Sequence, residues 1–158
     1  PIELLDFHGQ LFSIERSVRR QKIGGLLERV GLSRFADVPL RKFSKGMLQR
    51  VGLCQALLHE PELLILDEPM SGLDPLGRAL VRDLILEERE RGATVFFSSH
   101  ILHDVETLCD RVSILVQGEL RAVGETATLL GDQSLEQMLI EEVQREGPVD
   151  PRRLGVLA

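Results

Sequence analysis

No apolar run in this sequence approaches the roughly 18 residues that a membrane-spanning helix needs, so nothing in it reads as a helical span. Cysteine is scarce: Cys54 and Cys109 lie far apart within apolar patterns. They read as buried thiols in a reducing compartment rather than as a disulfide or a metal pair. Positive charge is short too, with 19 Lys and Arg against 25 Asp and Glu, a net charge of −6. A nucleic-acid binder that works through phosphate contacts would carry a basic patch. The basic residues that do cluster, Arg16, Arg19, Arg20 and Lys22, read as a solvated helix face, and no nucleic-acid partner is expected. The first residues, Pro1-Ile-Glu-Leu-Leu-Asp, are acidic where a secretory leader would be basic, so the chain reads as cytosolic. It starts without Met and enters a helical pattern at once, which suggests a missing N-terminal region.

What remains is enough for a folded domain: 158 residues, 43% of them apolar and 28% charged, can bury a sizeable core. Ile2, Leu4, Leu5, Leu11 and Phe12 predict a first amphipathic helix, and Val18, Ile23, Leu26, Leu27 and Val30 a second. Gly31 stops the second helix in the left-handed position. After a loop containing Pro39, a third helix starts at Ser44 and ends before Pro61. The pattern then changes. Leu63-Leu64-Ile65-Leu66 has the continuous apolar character of a parallel strand buried on both faces. Asp74-Pro75 is an N-cap followed by a first helical residue, opening a helix with Leu76, Leu80, Leu84 and Ile85 on one side. Thr94–Phe97 predicts a second buried strand, Leu102–Leu108 a short helix, and Arg111–Val116 a third strand. Gln117-Gly118 turns that strand back into Leu120–Val123. Ser134 and Gln137 form a capping box for a helix from Leu135 to about Glu146, and the tail from Gly147 reads as loose.

Strand and helix in alternation mean an α/β fold with a parallel sheet. The divisions expected are a helical subdomain at 1–60, a core at 61–125, and a C-terminal helix and tail at 126–158.

The chemistry gathers in the core. Leu63–Leu66 delivers two adjacent carboxylates, Asp67 and Glu68, to the C-terminal end of a buried strand, where α/β proteins bind ligands. Adjacent acids in such a place are costly unless a cation or a proton-transfer task occupies them. Phosphoryl transfer offers both tasks: one acid for Mg²⁺ and another for the attacking water. A parallel neighbour would bring its own end to the same edge, so His100, after Val95–Ser99, should lie near both acids. Upstream, Ser44, Lys45 and Gly46 open a helix. Ser44 is a natural N-cap, and the free N–H groups, the dipole, an amine and a glycine also suit an anion.

These residues, in this order, resemble the nucleotide-binding subunit of an ABC transporter over roughly residues 1–125. Phe43–Met47 resembles that family's signature motif, Leu63–Glu68 its Walker B strand, Ser71–Asp74 its D-loop and His100 its switch histidine. The resemblance implies an incomplete P-loop NTPase-like parallel-sheet core preceded by an α-helical subdomain. It implies ATP and Mg²⁺ as cofactors, with Asp67 holding the metal through water, Glu68 as catalytic base and His100 at the γ-phosphate. Ser44 and Gly46, with Lys45 adding charge, would meet the γ-phosphate of ATP on a second ATP-binding subunit, identical or different, and Asp74 would communicate across that dimer. Transmembrane permease subunits would hold the protein at the inner face of the membrane.

The chain departs from the pattern in two ways. Lys45 and Met47 replace the usual third and fifth signature residues, a variant that resembles export-type members. More important, no Gly-x-x-x-x-Gly-Lys-Ser/Thr occurs, and Gly24-Gly25 lies inside a helical pattern. Without that loop the chain has no seat of its own for the β- and γ-phosphates, and the Leu63 and Thr94 strands would have unpaired edges. The expectation is a fragment, inactive alone, of an export ATPase. The rivals are a translation- or DNA-associated ABC ATPase and a loop-less interaction module.

Overall fold

Three helices form ahead of Pro61, as their periodicity predicts. In a computed structural model, which describes residues 1–131, 133–146 and 154–157 (backbone alone at 143–146 and 154–157), α1 spans Ile2–Leu11, α2 Arg16–Arg29 and α3 Lys45–Leu57. Each boundary has a local cause. The carboxylate of Glu15 accepts from the backbone N–H groups of Ser17 and Val18 and caps α2. Gly31, at φ 67°, takes the left-handed position after its end. Ser44 lies just outside α3, with its hydroxyl accepting from the Met47 N–H. Arg50 ties the helices together, donating from Nη1 to the Val30 carbonyl at 2.9 Å, one of the orphan acceptors at a helix end.

The chain divides into two compact units, one of Pro1–Leu64 with Gly72–Thr94 and one of Ile65–Ser71 with Val95–Ala158. Helix α4, Pro75–Glu90, belongs to the first unit, capped by Asp74 with Pro75 in its first turn. Its buried face carries Val81, Leu84, Ile85 and Glu88. Leu76 does not share that face, contrary to expectation, and is 78% exposed. At the first turn the buried position goes to Gly77, so Leu76 points to solvent. Buried Glu88 pairs with Arg91 at 2.8 Å.

The basic cluster on α2 needs correction as well. Arg19 is buried rather than solvated: Nε donates to Asp6 at 2.5 Å and Nη1 to the Ile14 carbonyl at 2.7 Å. Lys22 pairs with Glu60 at 3.0 Å. Charge here clamps α2 to α1 and to the end of α3, with the arginine stem providing apolar cover.

Among the described residues, five strands form one sheet in the order β1-β2-β5-β3-β4: β1 Leu63–Asp67, β2 Thr94–Ser99, β3 Arg111–Val116, β4 Glu119–Glu125 and β5 Leu154–Leu157. Thr94 N–H donates to the Glu62 carbonyl at one end of the β1–β2 pair, and Ser98 bonds Asp67 at the other, so these strands are parallel. Because β5 is antiparallel to both β2 and β3, β3 also runs with β1 and β2. The parallel arrangement expected from the sequence is therefore present in the β1–β2 pair, and β3 runs the same way beyond an antiparallel β5. The β3–β4 hairpin turns at Gln117 and Gly118, at φ 55° and 86°, the left-handed pair a two-residue turn needs.

Two strand expectations fail. The β1 strand is not buried on both faces: Leu64 is 4% exposed, but Leu63 and Ile65 are 56% and 68% exposed. On β2, Phe97 is buried while Phe96 is 40% exposed. Alternation sends these side chains to opposite faces, and one face has no cover among the described residues. The tail differs too. Residues 147–153 and 158 lie outside the described residues, whereas 154–157 form β5 inside the sheet. The β2 edge expected to be unpaired is thus paired at Ser98 and Ser99, by Leu157 and Val156. Beyond the hairpin, α6 (Thr126–Leu130) was not anticipated; it is too short for a periodic signal. Helix α7, Leu135–Glu146, has the expected capping box, with Gln137 N–H on Ser134 Oγ and Ser134 N–H on Gln137 Oε1. It packs on α5, Leu102–Leu108, where Leu135 is fully buried.

Candidate active site

The C-terminal ends of β1 and β2 hold the carboxylates and the histidine. After Asp67 the chain leaves the strand through Glu68, whose φ of 47° is left-handed and uncommon for a residue with a Cβ. Had Glu68 stayed extended, its side chain would point to the face opposite Asp67. Pro69 follows, and the Ser71 N–H closes the turn on the Glu68 carbonyl at 3.1 Å. The result places Glu68 Oε2 2.7 Å from His100 Nδ1. A carboxylate only accepts, so Nδ1 carries the proton in this contact. Both side chains reach solvent, His100 being 67% exposed and Glu68 35%.

Ser98, which the sequence reading passed over, stands at the centre of this group. Its hydroxyl accepts from the Glu68 N–H at 3.0 Å and donates to Asp67 Oδ1 at 2.5 Å. The signal was present: in a strand, Ser98 projects on the same side as a residue two further on, and that residue is His100. Ser99 serves a different purpose, accepting from the Ile101 N–H where α5 begins.

The remaining candidates belong to the first unit. Ser44 and Lys45 are exposed at the start of α3. A Cβ on Gly46 would lie 3.2 Å from Leu73 Cδ2, and one on Gly72 would lie 3.5 Å from Lys45 Nζ. Gly46 and Gly72 thus let the Gly72–Asp74 segment close on the start of α3, with the Lys45 side chain alongside. The Asp74 carboxylate accepts from the Gly77 N–H at 2.8 Å and caps α4.

Among the described residues no group of three or more His, Cys, Asp and Glu could hold a metal ion. Mg²⁺ keeps several waters and is held by one or two carboxylates together with substrate phosphates. Asp67, an exposed hard oxygen donor fixed at one of its oxygens, fits that role.

A family model described as ABC transporter matches residues 5–71. An uncharacterized ABC transporter ATP-binding protein of Nostoc sp. is 55% identical over 135 residues, which is 84% of this chain and 40% of that protein. A linearmycin resistance ATP-binding protein of Bacillus subtilis is 36% identical over 156 residues, 97% of this chain and 50% of that protein. A solved structure, the ATP-binding subunit of an ABC transporter, superposes with a TM-score of 0.82 at 32% identity, over 89% of this chain and 60% of the other. The chain is similar to the ATP-binding proteins of ABC transporters over most of its length. It spans 40% and 50% of the length of the two curated relatives described. No helix among the described residues is long and apolar enough to cross a membrane.

Proposed function

We propose that this chain is part of an ATP-binding subunit that hydrolyses ATP to drive export through a transmembrane permease. One observation carries the reading: Glu68 and His100 meet at 2.7 Å beside Asp67, at the ends of two parallel strands. Glu68 acts as general base, taking the proton of the attacking water while His100 holds the carboxylate in place. Asp67 holds Mg²⁺ through water, which supplies neutralisation of phosphate charge. His100, largely exposed, is free to turn its other ring nitrogen toward the γ-phosphate.

Ser44, Lys45 and Gly46 contribute to the other half of the reaction. An exposed helix N-terminus attracts an anion, and here it meets the γ-phosphate of ATP seated on a second ATP-binding subunit. Asp74, fixed at the start of α4, carries the state of one site to the other. The loop that cradles the phosphates belongs to the part of the subunit that these residues do not cover. The name of the linearmycin resistance relative supports export, and a permease would hold the subunit at the inner face of the membrane.

The test is ATP hydrolysis by the full-length gene product with its permease. Turnover that depends on Mg²⁺ is expected, and its absence would overturn the reading. The 158 residues alone should not bind MgATP tightly. A micromolar Kd for that chain would show that the missing loop is not needed.

A further inference from the structure

We propose that Ser98 is a positioning residue for ATP hydrolysis, setting the carboxylate of Asp67 and the backbone of Glu68 with one hydroxyl. The inference rests on the reading of Asp67, Glu68 and His100 given above and adds to it a residue with no assigned role.

The donor assignments leave no freedom. The Glu68 N–H can only donate, so Ser98 Oγ accepts it. An ionised carboxylate can only accept, so the hydroxyl proton goes to Asp67 Oδ1. One side chain on β2 therefore fixes two consecutive residues of the neighbouring strand. Both positions are ones that the backbone alone would not hold. Glu68 is left-handed at φ 47°, a conformation that persists only where its surroundings over-determine it. Asp67 is exposed, and an exposed carboxylate with no fixed partner rotates freely. With Ser98 in place, one Asp67 oxygen is occupied and the other is presented to an incoming cation. Glu68 is turned so that its carboxylate meets His100. Partners behind a ligand set in this way typically matter about 10–100-fold in metal affinity or activity.

A serine that merely ended β2 would affect stability and nothing else. The two roles separate in the full-length gene product with its permease, comparing Ser98→Ala and Ser98→Thr with the parent and with Glu68→Gln. For Ser98→Ala we expect kcat to fall about 10–100-fold and Mg²⁺ binding in the presence of ATP, read by titration calorimetry, to weaken, with KM for ATP little changed. Ser98→Thr keeps the hydroxyl and should restore most of kcat. If Ser98→Ala turns over and binds Mg²⁺ as the parent does while Glu68→Gln is inactive, the role of Ser98 is overturned and the reading of the site stands. A threonine variant as impaired as the alanine variant likewise overturns it. Parental turnover by Glu68→Gln would instead remove the reading on which the proposal rests.

Discussion

Gly9 lies in the middle of α1, where replacing glycine with alanine ordinarily stabilises a helix by about 1 kcal/mol. Here the sign should reverse. A Cβ at that position would lie 2.2 Å from Arg19 Cδ and 2.7 Å from Arg19 Cγ, with Leu58 Cδ2 at 3.3 Å. Arg19 cannot swing aside cheaply, because its head is held by Asp6 at 2.5 Å and by the Ile14 carbonyl at 2.7 Å. Overpacking of a tight site costs about 1–3 kcal/mol, and contacts this close belong in the upper half of that range. Subtracting the helix gain leaves Gly9→Ala destabilised by about 1–2 kcal/mol, a drop in Tm of roughly 2–8 °C for a protein of this size. Arg19→Ala removes the obstacle. In that background, Gly9→Ala should stabilise by up to about 1 kcal/mol. The assay is a double-mutant cycle read by thermal and urea melts under circular dichroism. A Gly9→Ala variant that is neutral or stabilised in the parent, or that shows the same shift with and without Arg19, would refute the reasoning.

Two further outcomes follow from ionisable groups. The hydrogen bond from Arg19 is the main cause holding the Asp6 carboxyl below its usual 3.8. A depressed carboxyl pKa stabilises the folded state fully above the unfolded value, and that contribution is lost as pH falls through the folded one. Parental Tm should therefore decline more steeply below about pH 3.8 than that of Asp6→Asn; parallel profiles would contradict the pairing. Burial pushes the Cys54 thiol up to about 12 from 9.0, so it stays neutral and closed to reagents while the chain is folded. In a Cys109→Ser background, modification of Cys54 near neutral pH should proceed at the rate of unfolding, and labelling as fast as a free thiol would show that it is not buried. Raising the pH from 9.0 toward 12 should also lower stability, since only the unfolded thiol then ionises.

Sequence patterns located most elements because local signals agreed with the final structure. Ser44, Asp74, Gly31 and the Ser134–Gln137 pair each mark a helix end by chemistry that needs no distant partner. The Gln117-Gly118 turn is equally local. What escaped was set by tertiary context. Leu63, Ile65 and Phe96 are apolar, but whether they are covered depends on what lies over that face of the sheet. Arg19 looks like any surface arginine until Asp6 and the Ile14 carbonyl surround its head. Leu154–Leu157 is a short apolar run whose place between β2 and β3 no periodicity could reveal. At the site, the two acids and His100 were legible from strand ends and parallel order. Ser98 was not, because a serine in a strand has no chemistry until its neighbours across the pair are known. Nor could spacing foretell the left-handed turn at Glu68, which brings its carboxylate to the histidine.

The central claim is that Glu68, held by His100 and placed beside Asp67, is the base that activates water for ATP hydrolysis. Steady-state ATPase and MgATP binding, measured side by side on the full-length gene product and its Glu68→Gln variant, test it most directly. The amide keeps the shape and loses the basicity. Turnover should fall by about 10²–10⁴-fold while MgATP binding stays close to parental. Unchanged turnover in a variant that binds MgATP normally would contradict the claim.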